Sequence, residues 1–202
     1  EHLNEEEAVI CFLERRRERT HQNALNLTPD GNLLVSFRQT STVGIVDKAS
    51  GDFTWKWGPG EVNHQHHPTY LDNGRILMFD NGCHRRGASR SRILEVDPAT
   101  NEIAWEYQGT PDISFYSYNI SSAERQPNGN TLICEGAPGR IFEVTPDKVI
   151  VWEYINPYFG DRGQAGSVNG VFRAHRYGPD HPGLQGKELD PARYNNVNQL
   201  YA

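Results

Sequence analysis

The chain has 202 residues, of which 36% are hydrophobic and 10% aromatic, with 19 Gly and 12 Pro. That length suits one domain, and the turn formers argue for many short strands over long helices. A formal net charge of −6 argues against a nucleic-acid or anionic-membrane partner, and no apolar run reaches the ~18–20 residues of a membrane span.

The sequence begins at Glu1, with neither Met nor a signal peptide, so it reads as processed or as lacking the N-terminal part of a longer protein. Asn4 is a candidate helix N-cap that would place Glu7 at N3, and acidic residues precede the basic run to Arg19. Residues 1–20 therefore read as a short helix or a connecting arm. Cys11, Cys83 and Cys134 are odd in number and lack CxxC spacing, which favours buried thiols or one bridge over a zinc site. Asn26-Leu-Thr28 and Asn119-Ile-Ser121 are glycosylation triplets of the kind that also arise by chance.

Residues 21–177 repeat. Three segments end alike, in Ile45-Val-Asp47…Trp55-Lys-Trp57, Leu94-Glu-Val-Asp97…Trp105-Glu-Tyr107 and Phe142-Glu-Val-Thr145…Trp152-Glu-Tyr154. The leading Trp residues lie 50 and 47 positions apart. Each segment opens on a turn, Pro29-Asp-Gly31, Asp72-Asn-Gly74 or Pro127-Asn-Gly129, followed by an apolar strand. Asx-Gly pairs tolerate positive φ and are strong hairpin signals. Each unit thus predicts four antiparallel strands, the pattern of a β-propeller blade, with the Trp and Tyr residues packed between blades.

Three blades are visible, and a propeller needs about 4 to 8 to close. Residues 169–177 offer one further strand. The rest of the ring is expected from an absent N-terminal portion or, as the alternative, from a second copy in a homo-oligomer. From residue 178 to 202, Pro, Gly, Asp and Asn dominate, which predicts an extended tail.

Aligning the repeats on their turn glycines makes His21, His64 and Asn119 equivalent, each ten residues before Gly31, Gly74 and Gly129. Propeller ligands sit where the innermost strands begin, so repeated imidazoles there point to function. The second repeat also carries an Arg-rich insertion, Asp80 to Arg92, which suits an anion because guanidinium pairs bidentately with sulfate, phosphate or carboxylate.

The strings His21-x-Asn23, Ser-Phe-Arg38-Gln-Thr-Ser-Thr-Val43, Trp-Lys-Trp-Gly58, Gln65-His66, Phe-Asp-Asn-Gly82, Ser91-Arg92, Gln126-Pro-Asn-Gly-Asn-Thr-Leu-Ile133 and Phe-Arg-Ala-His-Arg-Tyr177 resemble the arylsulfotransferase family. The resemblance implies an all-β, six-bladed propeller, typically exported to the periplasm or the extracellular space. It implies sulfuryl transfer between phenols, with aromatic sulfate and phenol substrates, no nucleotide donor and no cofactor, through a sulfated histidine. The resemblance makes His21 and His66 candidate catalytic residues that bind the sulfuryl oxygens or exchange protons with the phenol, and Arg85 the candidate that neutralises the charge on the transferred group. Asn23 and Arg38 in the quoted strings, His64 and Asn119 at the repeat-equivalent position, and Arg140 in the third repeat's central loop are candidate substrate-binding residues. The family's nucleophilic histidine lies in a later blade, but here no histidine occurs between His84 and His175, which leaves His175 as the candidate. A non-catalytic propeller serving as a binding or assembly scaffold is the rival reading. A metal site built from His64, His66, His67 and His84 is disfavoured, because neighbours on a strand point to opposite faces, and no metal is expected.

Overall fold

The computed structural model describes residues 18–161 and 166–195. The helix or arm expected over residues 1–20 falls almost wholly outside them. Three sheets dominate, each four strands long and meandering in sequence order. The first holds β1 (Gln22–Leu27), β2 (Leu33–Phe37), β3 (Thr42–Val46) and β4 (Phe53–Trp57). The second holds β5 (His66–Tyr70), β6 (Ile76–Asp80), β7 (Arg92–Val96) and β8 (Ile103–Gln108). The third holds β9 (Ser122–Arg125), β10 (Thr131–Glu135), β11 (Arg140–Val144) and β12 (Ile150–Ile155). All pairings are antiparallel. The molecule is all-β, and its sheets are arranged like consecutive propeller blades.

The turns explain the repeat. After each first strand the chain closes a type I turn on a residue of positive φ, with Gly31, Gly74 and Gly129 donating to Thr28, Leu71 and Gln126. Their φ values are 85°, 83° and 87°, a conformation glycine adopts without strain. The second hairpin turns resolve a small irregularity of spacing. Gly51 and Asn101 donate back four residues to Asp47 and Asp97, whereas Lys148 donates back three to Thr145. The third repeat is one residue shorter because its turn is one residue tighter.

The core lies between sheets. Along β6 alternate side chains serve opposite neighbours: Ile76 and Met78 join Leu34, Val43, Trp57 and Leu94 towards the first sheet. Leu77 and Phe79 join Phe115, Ile133 and Phe142 towards the third. This is the period-two alternation of a strand covered on both faces. The sheets meet through their first two strands, β1 and β2 against β5, and β5 and β6 against β9. The tryptophans stitch neighbours together as expected from sequence, with Trp55 Nε1 donating to Asn101 Oδ1 (2.8 Å) and Trp105 Nε1 to the Pro146 carbonyl (2.9 Å). Trp152 departs from the pattern, being 44% exposed on a β12 against which no further sheet packs among the described residues.

Residues 169–177 do not form a strand. They instead lie along the third sheet: Val171 N donates to Gly136 O, and Ala174 N to Ser122 Oγ at 3.4 Å. A two-stranded pair, β13 (Gly160–Asp161) and β14 (Ser167–Val168), precedes them, and beyond Gly178 the described residues include two short 3-10 turns. Cys83 and Cys134 are both buried thiols. No helix among the described residues is long and apolar enough to cross a membrane.

Candidate functional site

Where the first strands begin, the backbone is unusual. His21, His64, His67, Ile120 and Ser121 all have positive φ, between 48° and 102°. Such conformations cost non-glycine residues of order 1–3 kcal/mol each and gather at functional sites. β-Bulges add to this, between Gln22 and Ala24 in β1 and between His66 and Thr69 in β5. A bulge re-aims the side chains beside it, and here it turns His66 and His67 to different neighbours.

These ends enclose a cavity of about 430 Å³ lined by His21, Gln22, Asn23, Arg38, His66, Tyr118, Asn119, Ile120 and Phe172. Five sequence candidates therefore converge: His21, Asn23, Arg38, His66 and Asn119. The first sheet supplies His21, Asn23 and Arg38, the second His66, and the segment entering the third Asn119. The Oδ1 atoms of Asn23 and Asn119 are buried without a protein partner. Unsatisfied buried acceptors are rare and call for an occupant.

His66 is held in one state by its surroundings. Asn81, fully buried, donates both amide hydrogens to backbone carbonyls, Ser117 O at 2.8 Å and Ile120 O at 2.9 Å. Its Oδ1 is then left facing His66 Nδ1 at 2.7 Å. A carbonyl oxygen only accepts, so His66 Nδ1 carries the hydrogen and the ring's lone pair resides on Nε2. Burial pushes the imidazole down to about 4, opposed by the Asn81 hydrogen bond and reinforced by the Arg38 charge. Asp80-Asn81-Gly82 is a motif whose sequence alone assigns Asn81 no role. Its three cross-loop hydrogen bonds supply one, and a buried Asn after an apolar strand was the available signal.

The remaining candidates lie elsewhere. Arg85 pairs with buried Asp80, which Arg92 Nη2 also approaches at 2.8 Å. The guanidinium that reaches the cavity is Arg38, 5% exposed. Gly82 permits this packing: at φ 72° a Cβ there would lie 2.0 Å from the Arg90 carbonyl. Arg140 lies over the Phe142 ring, 4.2 Å from its centre, and pairs with Glu135 and Glu153. His175 Nδ1 is 2.7 Å from Glu124, and its ring contacts that of His67 at 5.9 Å. His64 is 1% exposed and turns its ring onto His84, with burial driving it to about 3, helped by the Arg38 charge. None of Arg85, Arg140, His175 and His64 lines the cavity.

Stacked four-stranded sheets that gather imidazole, guanidinium and amide groups at their axial ends define a propeller-like protein with an anion-compatible cavity. The likeness to solved structures agrees on the fold. A protein of unknown function from Bacteroides caccae matches with TM-score 0.51 and 17% identity, over 66% of this chain and 45% of its own. Streptogramin B lyase matches with TM-score 0.51 and 18% identity, over 69% and 42%. A catalytically inactive H270A virginiamycin B lyase from Staphylococcus aureus, with quinupristin, matches with TM-score 0.50 and 13% identity, over 69% and 43%. The chain spans less than half the length of each. No curated protein sequence matches it. The family is settled by sequence: residues 13–157 match the arylsulfotransferase (ASST) model, and the chain belongs to that family.

Proposed function

We propose that this protein transfers a sulfuryl group from an aryl sulfate to a phenol, without a nucleotide donor, in the cavity shared by His21, Arg38 and His66. The carrying observation is the orientation of His66, whose Nδ1–H is engaged by Asn81 so that the lone pair belongs to Nε2. In this reading Nε2 attacks sulfur, the N–S bond forms as the S–O bond to the aryl oxygen breaks, and the departing phenolate takes a proton from protonated His21. In the return half the acceptor hydroxyl gives its proton to His21, its oxygen attacks sulfur, and the N–S bond breaks to restore neutral His66. Arg38 neutralises the sulfonate oxygens, in place of Arg85, which pairs with Asp80. The open carbonyl oxygens of Asn23 and Asn119 suit a phenolic hydroxyl, and Tyr118 and Phe172 offer aromatic walls. A closed ring of six such sheets, in a periplasmic or extracellular protein, is the setting the family suggests.

The test is incubation with p-nitrophenyl sulfate and phenol. Release of 4-nitrophenol should depend on the acceptor and fall about 100-fold or more in His66→Ala. Denaturing mass spectrometry of enzyme quenched without acceptor should find one added sulfonate on His66. Folded protein that releases nothing would overturn the proposal in favour of the non-catalytic scaffold.

A further inference from the structure

His64 poses a separate problem. It is 1% exposed, and both its ring nitrogens lack a hydrogen-bond partner. A buried imidazole with neither nitrogen satisfied is costly, so such a site normally belongs to something that binds it. Two residues from the Arg-rich insertion stand beside it, Cys83 and His84. Donor atoms of His64, Cys83 and His84 all lie within 4.8 Å of one another, and the two imidazoles meet edge to face with centres 4.8 Å apart. Cys83 is 8% exposed, whereas His84 faces solvent, so the group has a buried floor and an open side. The backbone is bent to produce it: φ is 58° at His64 and 75° at His84, and Gly82 opens the turn that carries Cys83 and His84.

We propose that His64, Cys83 and His84 form a binding site for a borderline divalent cation, zinc foremost, with its fourth position open to solvent. Two imidazoles and a thiolate are a zinc donor set, and a three-ligand site with an open position is one of the recurring forms. Tetrahedral zinc holds its ligand atoms about 3.5 Å apart, so the trio must close by about 1 Å, a movement that side-chain torsions supply. On binding, the Cys83 thiol gives its proton to solvent, and the thiolate offsets part of the cation's charge. That matters because the Arg38 guanidinium acts on His64 from the cavity side. The consequence is mechanical: the ion ties the connection before β5 to the start of the insertion between β6 and β7, and fixes the loop bearing Arg85. The site shares no residue with the cavity, so sulfuryl transfer can fail while zinc binding stands, and the reverse. The sequence did not announce it, since adjacent Cys-His with a distant His matches no standard spacing.

The experiment uses the whole protein, stripped with chelator and titrated with zinc against a chromophoric competitor, then with cobalt as a spectroscopic probe. One zinc should bind per chain, cobalt should give a thiolate charge-transfer band, and Cys83→Ser and His84→Ala should each weaken binding at least tenfold. Both changes are mild, one near-isosteric and one exposed, and circular dichroism confirms the fold. His181→Ala, an exposed histidine outside the cluster, should leave the affinity unchanged. No binding by wild type, affinity unaltered in Cys83→Ser and His84→Ala, or cobalt binding without the thiolate band would each overturn the assignment.

Discussion

Trp-Glu-Tyr occurs at residues 105–107 and again at 152–154, in the last strand of its sheet both times, yet the two copies live in different surroundings. Tyr107 is 6% exposed and packs on Phe115 and Phe142, whereas Tyr154 is 39% exposed and stacks on Trp152. The difference is the neighbour: among the described residues, the second sheet has a sheet against both faces and the third against one. A repeat's apolar face is built for the next repeat, and its sequence does not record whether that neighbour is present.

The largest expected effect tests that asymmetry directly. Phe142 is fully buried at the junction of the second and third sheets, so Phe142→Ala should cost about 3–5 kcal/mol in denaturant unfolding. Trp152→Ala, on the open face, should stay within about 1 kcal/mol in this chain. If a further sheet, or a second copy, covers β12, the two costs should converge.

The covered junction also hides a titratable group. His67 is 4% exposed, and its Nδ1 donates to the Ala123 carbonyl at 3.1 Å. Burial pushes its pKa from 6.5 to about 4, with the Arg173 charge acting the same way, the Ala123 bond opposing, and His175 and Glu124 contributing weakly in opposite senses. The unfolded chain takes the proton near pH 6.5 and the folded chain only near 4, so this contribution is complete above pH 6.5 and is lost as pH falls towards 4. The loss amounts to about 3 kcal/mol at most. His67→Gln keeps a donor for Ala123 but cannot titrate, so its stability between pH 6.5 and 4 should fall less steeply than wild type. Parallel slopes would mean that the imidazole is already protonated, or already hydrated, at the junction.

Much of this frame was legible in the sequence because it is local. Pro29-Asp-Gly31, Asp72-Asn-Gly74 and Pro127-Asn-Gly129 dictate their hairpins through φ alone, and Trp55 and Trp105 mark the strands whose faces meet the next sheet. The site was legible only in part. Repeat register finds His21 and Asn119, because equivalent positions share an end of the sheets, but it also picks His64, which turns onto His84; Asn23, Arg38 and His66 come from the family resemblance. Which guanidinium joins them was not legible, since Arg85 is drawn off by Asp80, a pairing set by the path of the loop between β6 and β7, which no periodicity governs. An Asn directly after an apolar strand marked Asn81, but its role depends on the Ser117 and Ile120 carbonyls, which come near only after the third sheet docks.

The smallest effect sharpens the comparison most. Over Trp105 lies Arg125 of β9, 5.1 Å from the ring and paired with Glu95. Over Trp152 lies Arg176, 5.2 Å from the ring and paired with Glu143, the residue matching Glu95 in the third repeat. Residues 170–177 thus present to the third sheet an arginine equivalent to the one that β9 presents to the second, without forming a strand. A double-mutant cycle on Arg125 and Trp105 should give a coupling of about 1 kcal/mol, in a contact shielded on both sides. The same cycle on Arg176 and Trp152 should give about 0.5 kcal/mol or less, because water reaches both partners. Equal couplings would mean that the segment already does the work of a first strand, and that the open face begins one strand further out than the hydrogen bonds suggest.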